Sequence, residues 1–203
     1  MTVILGLTGG ISTGKSTVSK IFKEQGYPVV DADVGAREVV KPGTVGLEKI
    51  KKEFGNKVIL TDGTLDRTAL AKIIFDDVEK RELLNKMLSQ HIHQWIVTKK
   101  NDYLKQDPAI IVLDIPLLFE MGYENEVDQI MMVATSEEIQ LNRLMKRDNI
   151  EKKEATQRID SQLPISKKVI LGDIIIDNSG TIENTKKQVL DWINKNKDRL
   201  EHK

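Results

Sequence analysis

The chain has 203 residues, and 31 lysines and arginines balance 31 aspartates and glutamates, so its formal net charge is zero. A neutral chain has no global electrostatic reason to bind nucleic acid or an anionic membrane, and any phosphate chemistry must come from a local cluster. The absence of cysteine removes disulfides, thiolate metal sites and thiol nucleophiles together.

The first residues, Met1 to Gly6, place no basic stretch before an apolar run and do not read as a signal peptide. No stretch approaches the ~18–20 apolar residues of a membrane span. A cytoplasmic protein is expected, with no nucleic-acid or membrane partner and no evident obligate protein partner.

Five short apolar runs read as strands buried on both faces, as in a parallel sheet. They are Val3–Thr8, Pro28–Asp31, Ile110–Asp114, Gln129–Ala134 and Ile174–Asp177. Helical patterns separate them, which predicts an α/β domain. Two intervals exceed what a crossover needs. Residues 35–107 read as mostly helical, with a turn at Asp62-Gly63. Within them, Leu83, Leu84, Met87, Leu88, Ile92, Trp95 and Ile96 repeat at helical spacing from Glu79 to about Tyr103. Residues 136–172 read as two or three helices broken near Asn149 and Leu163-Pro164. Both intervals are expected to project from the sheet as lobes. A last helix is predicted from about Ile182 to Asn194, with Val189, Leu190 and Ile193 facing the core.

The first strand runs into Gly9-Gly10-Ile11-Ser12-Thr13-Gly14-Lys15-Ser16-Thr17, a match to G-x-x-x-x-G-K-[ST] between a strand and a helix. Glycines let the backbone aim several N–H groups at one anion, and the helix N-terminus adds partial positive charge. Lys15 supplies a point charge for the β- and γ-phosphates, and the Ser16 hydroxyl is placed to hold Mg²⁺. The pattern predicts a nucleoside triphosphate site without naming a reaction.

Asp31 and Asp33 follow the second strand, two residues apart. In an extended chain both would point to one side, where ligands of open parallel sheets sit. Either can accept a hydroxyl proton or hold Mg²⁺ through water; the alternative is a turn pair with one member capping a helix that begins near Gly35. Asp114 ends the third strand after four apolar residues, the usual second metal-site element beside a phosphate loop.

From Arg143 to Lys168, eight basic residues stand against four acidic ones in an otherwise neutral chain. Arg143 and Arg147, four apart on a predicted helix, share a face and repel unless an anion lies between them. That pattern fits a lid over phosphates. His91 and His93, two apart on a helix, diverge and do not chelate a metal together; the third histidine is His202. Trp95, Trp192 and the phenylalanines read mostly as core by spacing.

Several motifs, in order, resemble the dephospho-coenzyme A kinase family. They include Gly6-Leu7-Thr8-Gly9-Gly10-Ile11, Asp31-Ala32-Asp33, Gly63-Thr64-Leu65-Asp66-Arg67 and Asp114-Ile115-Pro116-Leu117-Leu118-Phe119-Glu120. Arg143-Leu144-Met145-Lys146-Arg147-Asp148, Arg158-Ile159-Asp160-Ser161-Gln162 and Asp177-Asn178-Ser179-Gly180 follow, so the resemblance spans nearly the whole chain. It implies a nucleoside-kinase-like fold: a five-stranded parallel sheet flanked by helices, forming one phosphate-loop kinase domain over residues 1–203. A helical substrate lobe would occupy about 35–107 and a small helical lid about 136–172.

The implied reaction transfers the γ-phosphoryl of ATP to the ribose 3′-hydroxyl of dephospho-coenzyme A, the last step of coenzyme A synthesis, with Mg²⁺ as cofactor. The resemblance makes Asp33 the base, sets Lys15 and Arg143 beside the transferring group and brings Thr8 to the active site. ATP would be held by Ser12, Thr13, Gly14, Lys15, Ser16, Thr17, Arg147 and, near the adenine, Asn178. Ser16 and Asp114, the latter directly or through water, would hold the metal. One departure is that the family commonly carries His-Pro shortly after Leu-Asn, where this chain reads Ser89-Gln90. A kinase for nucleoside monophosphates is the nearest rival on the same scaffold. A GTPase switch would need N-K-x-D, and the chain contains no such tetrapeptide.

Overall fold

The computed structural model describes residues 2–75 and 77–201, without the side chains of the last five of these; His202 lies outside the described residues. Five strands, β1 (Val3–Gly9), β2 (Val29–Asp31), β3 (Ile110–Asp114), β4 (Gln129–Ala134) and β5 (Ile174–Asp177), form one sheet in the order β2-β3-β1-β4-β5. The pairings of β1 with β3, β1 with β4 and β4 with β5 are parallel, as continuous apolar runs require.

The chain divides into two compact units. One runs to Val30 and resumes at Lys100; the other is Asp31–Lys99. The first holds the body of the sheet with α1 (Lys15–Glu24), α6 (Glu137–Asp148), α7 (Lys152–Asp160), α8 (Ile165–Leu171) and α9 (Ile182–Glu201). Its core joins Leu5 and Leu7 of β1, Ile110 and Val112 of β3, and Met131 and Val133 of β4 to the apolar faces of α1 and α9. Phe22 of α1 meets Trp192 of α9 edge-on, with ring centroids 6.2 Å apart. The predicted breaks in the 136–172 interval fall as expected. Asn149 ends α6 in the left-handed conformation, φ 52°, and Pro164 precedes α8.

The second unit contains α2 (Ala32–Glu38), α3 (Val45–Phe54), a short 3₁₀ turn (Asn56–Val58), α4 (Arg67–Phe75) and most of α5 (Val78–Leu104). They enclose a separate core around Val40, Ile50, Phe54, Val58, Leu70 and Leu84. The Asp62-Gly63 turn is present: Asp62 accepts hydrogen bonds from the N–H and hydroxyl of Thr64. Leu83, expected among the apolar positions of α5, is 37% exposed. Leu84, its neighbour 100° around the helix, is the buried one.

Among the described residues no helix is long and apolar enough to cross a membrane.

Candidate active site

β1 ends at Gly9 and α1 begins at Lys15, so the glycine-rich segment is a strand-to-helix loop. Two residues in it take left-handed backbone: Gly14 with φ 90° and Ser12 with φ 59°. Gly14 has no alternative. A Cβ there would lie 2.0 Å from Asn178 Nδ2, besides the left-handed strain. Ser12 accepts that strain, of about 1–2 kcal/mol for a residue with a Cβ. Its hydroxyl is buried and has no hydrogen-bond partner among the described residues. Thr13 is fully buried and turns the loop inward, its hydroxyl donating to the Gly10 carbonyl at 2.9 Å.

Lys15 opens α1, Ser16 is exposed in its first turn, and Thr17 donates its N–H to the Gly14 carbonyl at 2.9 Å. The Lys15 ammonium pairs with the Asp114 carboxylate at the end of β3. β1 and β3 are in register with Leu7 opposite Asp114, which brings the carboxylate up to the loop. Asp114 is 2% exposed, so the pair is shielded from solvent. Thr8, also buried, donates its hydroxyl to the Pro116 carbonyl at 3.1 Å and ties the end of β1 to the segment after Asp114.

Asn178 follows β5 and is 5% exposed. Its amide donates to the Thr13 carbonyl at 2.7 Å, and its oxygen accepts the hydroxyl of Thr185 on α9 at 2.6 Å. Two glutamines hold the loop at Ile11. Gln140 of α6 donates to the Ile11 carbonyl, and Gln162, in the turn after α7, accepts the Ile11 N–H, both at 2.9 Å. Sequence reasoning missed Gln140, Gln162 and Thr185 as parts of this site. Gln162 closes the Arg158–Gln162 motif, which was a signal without a mechanism; Gln140 and Thr185 carried none.

Arg143 and Arg147 both lie on α6. Arg143 is half-buried, and its guanidinium makes no ion pair or hydrogen bond among the described residues. Arg147 grips the carboxylate of Asp148 with Nε at 2.7 Å and Nη2 at 3.1 Å. Arg158 of α7 reaches the same carboxylate at 2.6 Å and Glu154 at 2.7 Å. The hydrogen bond from Arg147 is the main cause holding the Asp148 carboxyl below its ordinary 3.8, and the two arginine charges add to it. The acids of the basic segment thus neutralise two of its three arginines.

In the second unit, the extended-chain argument for Asp31 and Asp33 does not hold. β2 ends at Asp31 and α2 begins at Ala32, three residues before the expected Gly35 start. Asp31 is the N-cap, its carboxylate accepting the N–H groups of Asp33 at 2.9 Å and Val34 at 3.3 Å. Asp33 sits in the first helical turn with an exposed side chain that makes no hydrogen bond among the described residues. Ser89 and Gln90 lie on α5; the Ser89 hydroxyl donates to the Lys86 carbonyl, and His91 lies 3.0 Å from the Lys49 ammonium.

A parallel sheet whose first strand feeds a glycine loop and a helix led by lysine, with a buried acid at the next strand's end, defines a phosphate-loop nucleotide-using protein. The family model described as dephospho-CoA kinase matches residues 3–184. A dephospho-CoA kinase of Listeria monocytogenes is 46% identical over 93% of this chain and 94% of its own length. One of Bacillus cereus is 47% identical over the same shares. Among solved structures, dephospho-CoA kinase from Campylobacter jejuni aligns with TM-score 0.75 at 29% identity, covering 96% of this chain and 97% of its own. TT1252 from Thermus thermophilus aligns with TM-score 0.79 at 28% identity and the same coverage. The chain belongs to the dephospho-CoA kinase family, whose members are ATP-using kinases.

Proposed function

We propose that this protein transfers the γ-phosphoryl of ATP to the ribose 3′-hydroxyl of dephospho-coenzyme A, the closing step of coenzyme A synthesis, and that it does so in the cytoplasm. The observation that carries the reading is the Lys15–Asp114 pair beneath a strand-to-helix glycine loop, in a chain of this family.

Backbone N–H groups of residues 12–17, other than those of Thr13 and Thr17, which are paired with the Gly10 and Gly14 carbonyls, and the N-terminus of α1 receive the phosphates. The buried, unpartnered hydroxyl of Ser12 is a ready donor to a phosphate oxygen. The arriving triphosphate offers Lys15 a new set of anionic oxygens, and as the ammonium swings to them Asp114 is released. The Ser16 hydroxyl and Asp114 would hold Mg²⁺, directly or through water. Few protein oxygens with water completing the shell suit this ion. Its chemistry there would be to neutralise the β,γ-phosphate oxygens.

Asp33 is assigned as the base. Its carboxylate is exposed and uncommitted, whereas that of Asp31 is spent on the helix cap. It takes the proton of the 3′-hydroxyl as the oxygen bonds to the γ-phosphorus and the bond to the β-phosphate oxygen breaks, leaving ADP. Arg143, half-buried and unpaired, stabilises charge on the transferring group. Arg147 joins it in binding ATP on exchanging Asp148 for phosphate. Thr8 acts as a positioning residue through Pro116, and Asn178 holds the loop beside the adenine site. In this reading residues 35–107 form the acceptor lobe and 136–172 the lid.

The test is ATP-dependent ADP release with dephospho-coenzyme A, nucleoside monophosphates, shikimate or no acceptor, with products weighed by mass spectrometry. Stimulation by dephospho-coenzyme A alone, with one phosphate added, is expected. Stimulation by a nucleoside monophosphate instead would overturn the acceptor assignment.

A further inference from the structure

Ile11 is the large apolar residue of the phosphate loop, and both its backbone groups are held by side-chain amides that arrive from far away in sequence. Gln140 of α6 donates to its carbonyl; Gln162 accepts its N–H. The backbone partners fix the orientation of both amides, since a carbonyl must face an NH₂ and an N–H must face an oxygen. Gln140 is 3% exposed, and a Cβ on Gly10 would lie 2.8 Å from its Nε2. The second residue of the loop is therefore glycine partly because this amide lies against it.

The two glutamines stand on separate supports. α6 also carries Arg143, one turn beyond Gln140. Gln162 lies in the α7–α8 turn, and a cavity of about 370 Å³ opens between this region and α6, lined in part by Leu141, Thr156, Ile159 and Ile165. Two long-range side-chain hydrogen bonds hold the turn: that of Gln162 to Ile11, and that of the Leu163 N–H to Glu120 Oε1 at 3.0 Å.

We propose that Gln140 and Gln162 are positioning residues that clamp the tip of the phosphate loop between α6 and the α7–α8 turn, presetting it for the triphosphate and tying the lid segment to it. This rests on the loop being the ATP site, and not on the identity of the acceptor. An unclamped Ile11 leaves the neighbouring loop N–H groups to be ordered by the nucleotide itself. The cost appears in nucleotide affinity.

The discriminating experiment compares two double variants of equal composition and equal net charge. Gln140→Lys with Gln162→Glu keeps a donor against the Ile11 carbonyl and an acceptor against its N–H. Gln140→Glu with Gln162→Lys puts acceptor against acceptor and donor against donor. Gln162→Met, at a half-exposed position, serves as a single variant that buries no charge. For each, the Kd of ATP-Mg²⁺ is measured by calorimetry without acceptor, then KM for ATP, KM for dephospho-coenzyme A, kcat and melting temperature.

Losing one such bond is expected to weaken ATP binding about five- to tenfold, the scale of a net hydrogen bond. KM for dephospho-coenzyme A should stay unchanged. Both double variants bury a charge at position 140, so the comparison lies between them: the donor-acceptor-matched one should bind ATP more tightly than the mismatched one, and the mismatched one should lose more than the single variant. Equal ATP affinity in the two double variants, or a fall in melting temperature with unchanged ATP affinity in Gln162→Met, would overturn the clamp. If the acceptor were misassigned, the Kd series would still report on the loop while turnover with dephospho-coenzyme A would be absent from the parent protein as well.

Discussion

The phosphate loop is also held from the C-terminal helix, and replacing Thr185 by valine tests how much that support is worth. The Thr185 hydroxyl is fully buried and donates to Asn178 Oδ1 at 2.6 Å; the same amide donates to the Thr13 carbonyl at 2.7 Å. Valine matches threonine in shape, so no cavity opens, but the Asn178 oxygen is left buried without this donor. A lost net hydrogen bond together with a stranded acceptor costs about 1–3 kcal/mol. With an m-value of about 2 kcal/mol per M in urea, the midpoint should fall by roughly 0.5–1.5 M. Thr185→Ser is the control, since it keeps the hydroxyl and loses one methyl group, at about 1 kcal/mol. Urea unfolding followed by circular dichroism, beside calorimetric binding of ATP-Mg²⁺, reads both ends of the chain of bonds. Thr185→Val should weaken nucleotide binding as well as stability, while Thr185→Ser should leave binding close to the parent. The reasoning is refuted if valine is tolerated within about 0.3 kcal/mol, too little for any buried hydrogen bond. It is refuted equally if serine proves the worse replacement.

Asp33→Asn should lower kcat by about 10²–10⁴-fold, the span of general-base catalysis, with ATP affinity unchanged; near-normal turnover would remove Asp33 as base. The Asp148 carboxyl, held below 3.8 chiefly by the Arg147 hydrogen bond, stabilises the folded state above its unfolded value, and the contribution is lost as pH falls through the lower folded value. The stability gap between the parent and Asp148→Asn should therefore be constant from neutral pH down to about 5 and shrink below it, as followed by urea unfolding at each pH. Lys168 is fully buried, with its ammonium 2.6 Å from Glu120 Oε1 in an ion pair that lacks an aligned hydrogen bond. Glu120→Gln strands that charge and should cost roughly 3 kcal/mol, whereas Lys168→Met, which removes the charge, should cost less. The reverse order in thermal unfolding would contradict the assignment of the pair.

What could be read from the residues and what could not divides along sequence distance. The sheet was readable because a strand buried on both faces must be a short continuous apolar run. Ile110–Asp114, Gln129–Ala134 and Ile174–Asp177 form strands with the bounds their composition suggests. The loop was readable because its chemistry is packed into nine consecutive residues. Of the two readings of the Asp31–Asp33 pair, the helix cap is the one realised, with the helix starting earlier than expected: a carboxylate two residues ahead of a free N–H offers the backbone a cap, and that turns the chain out of the extended form at Ala32. The alternation of side chains and the cap compete at this point, and spacing alone does not decide between them.

The supports of the loop were beyond reach of any local pattern. Gln140, Gln162 and Asn178 meet it across 129, 151 and 165 residues respectively. A polar residue on a helix carries no mark of which distant carbonyl it will meet; a glutamine bound for a buried amide looks the same as one bound for water. Yet the loop needs such partners. Its tight turns pair some backbone groups, such as the Thr17 N–H with the Gly14 carbonyl, but leave others, including both of Ile11's, to side chains, and buried groups left unpaired cost about 1–3 kcal/mol each. A loop that must keep its remaining N–H groups free for phosphate has to pair the others with side chains. In an open parallel sheet those side chains come from the helices and turns that follow β4 and β5, late in the chain. On the proposed reading, the first residues of the protein supply the phosphate-binding chemistry, and residues from its last third hold that loop in place.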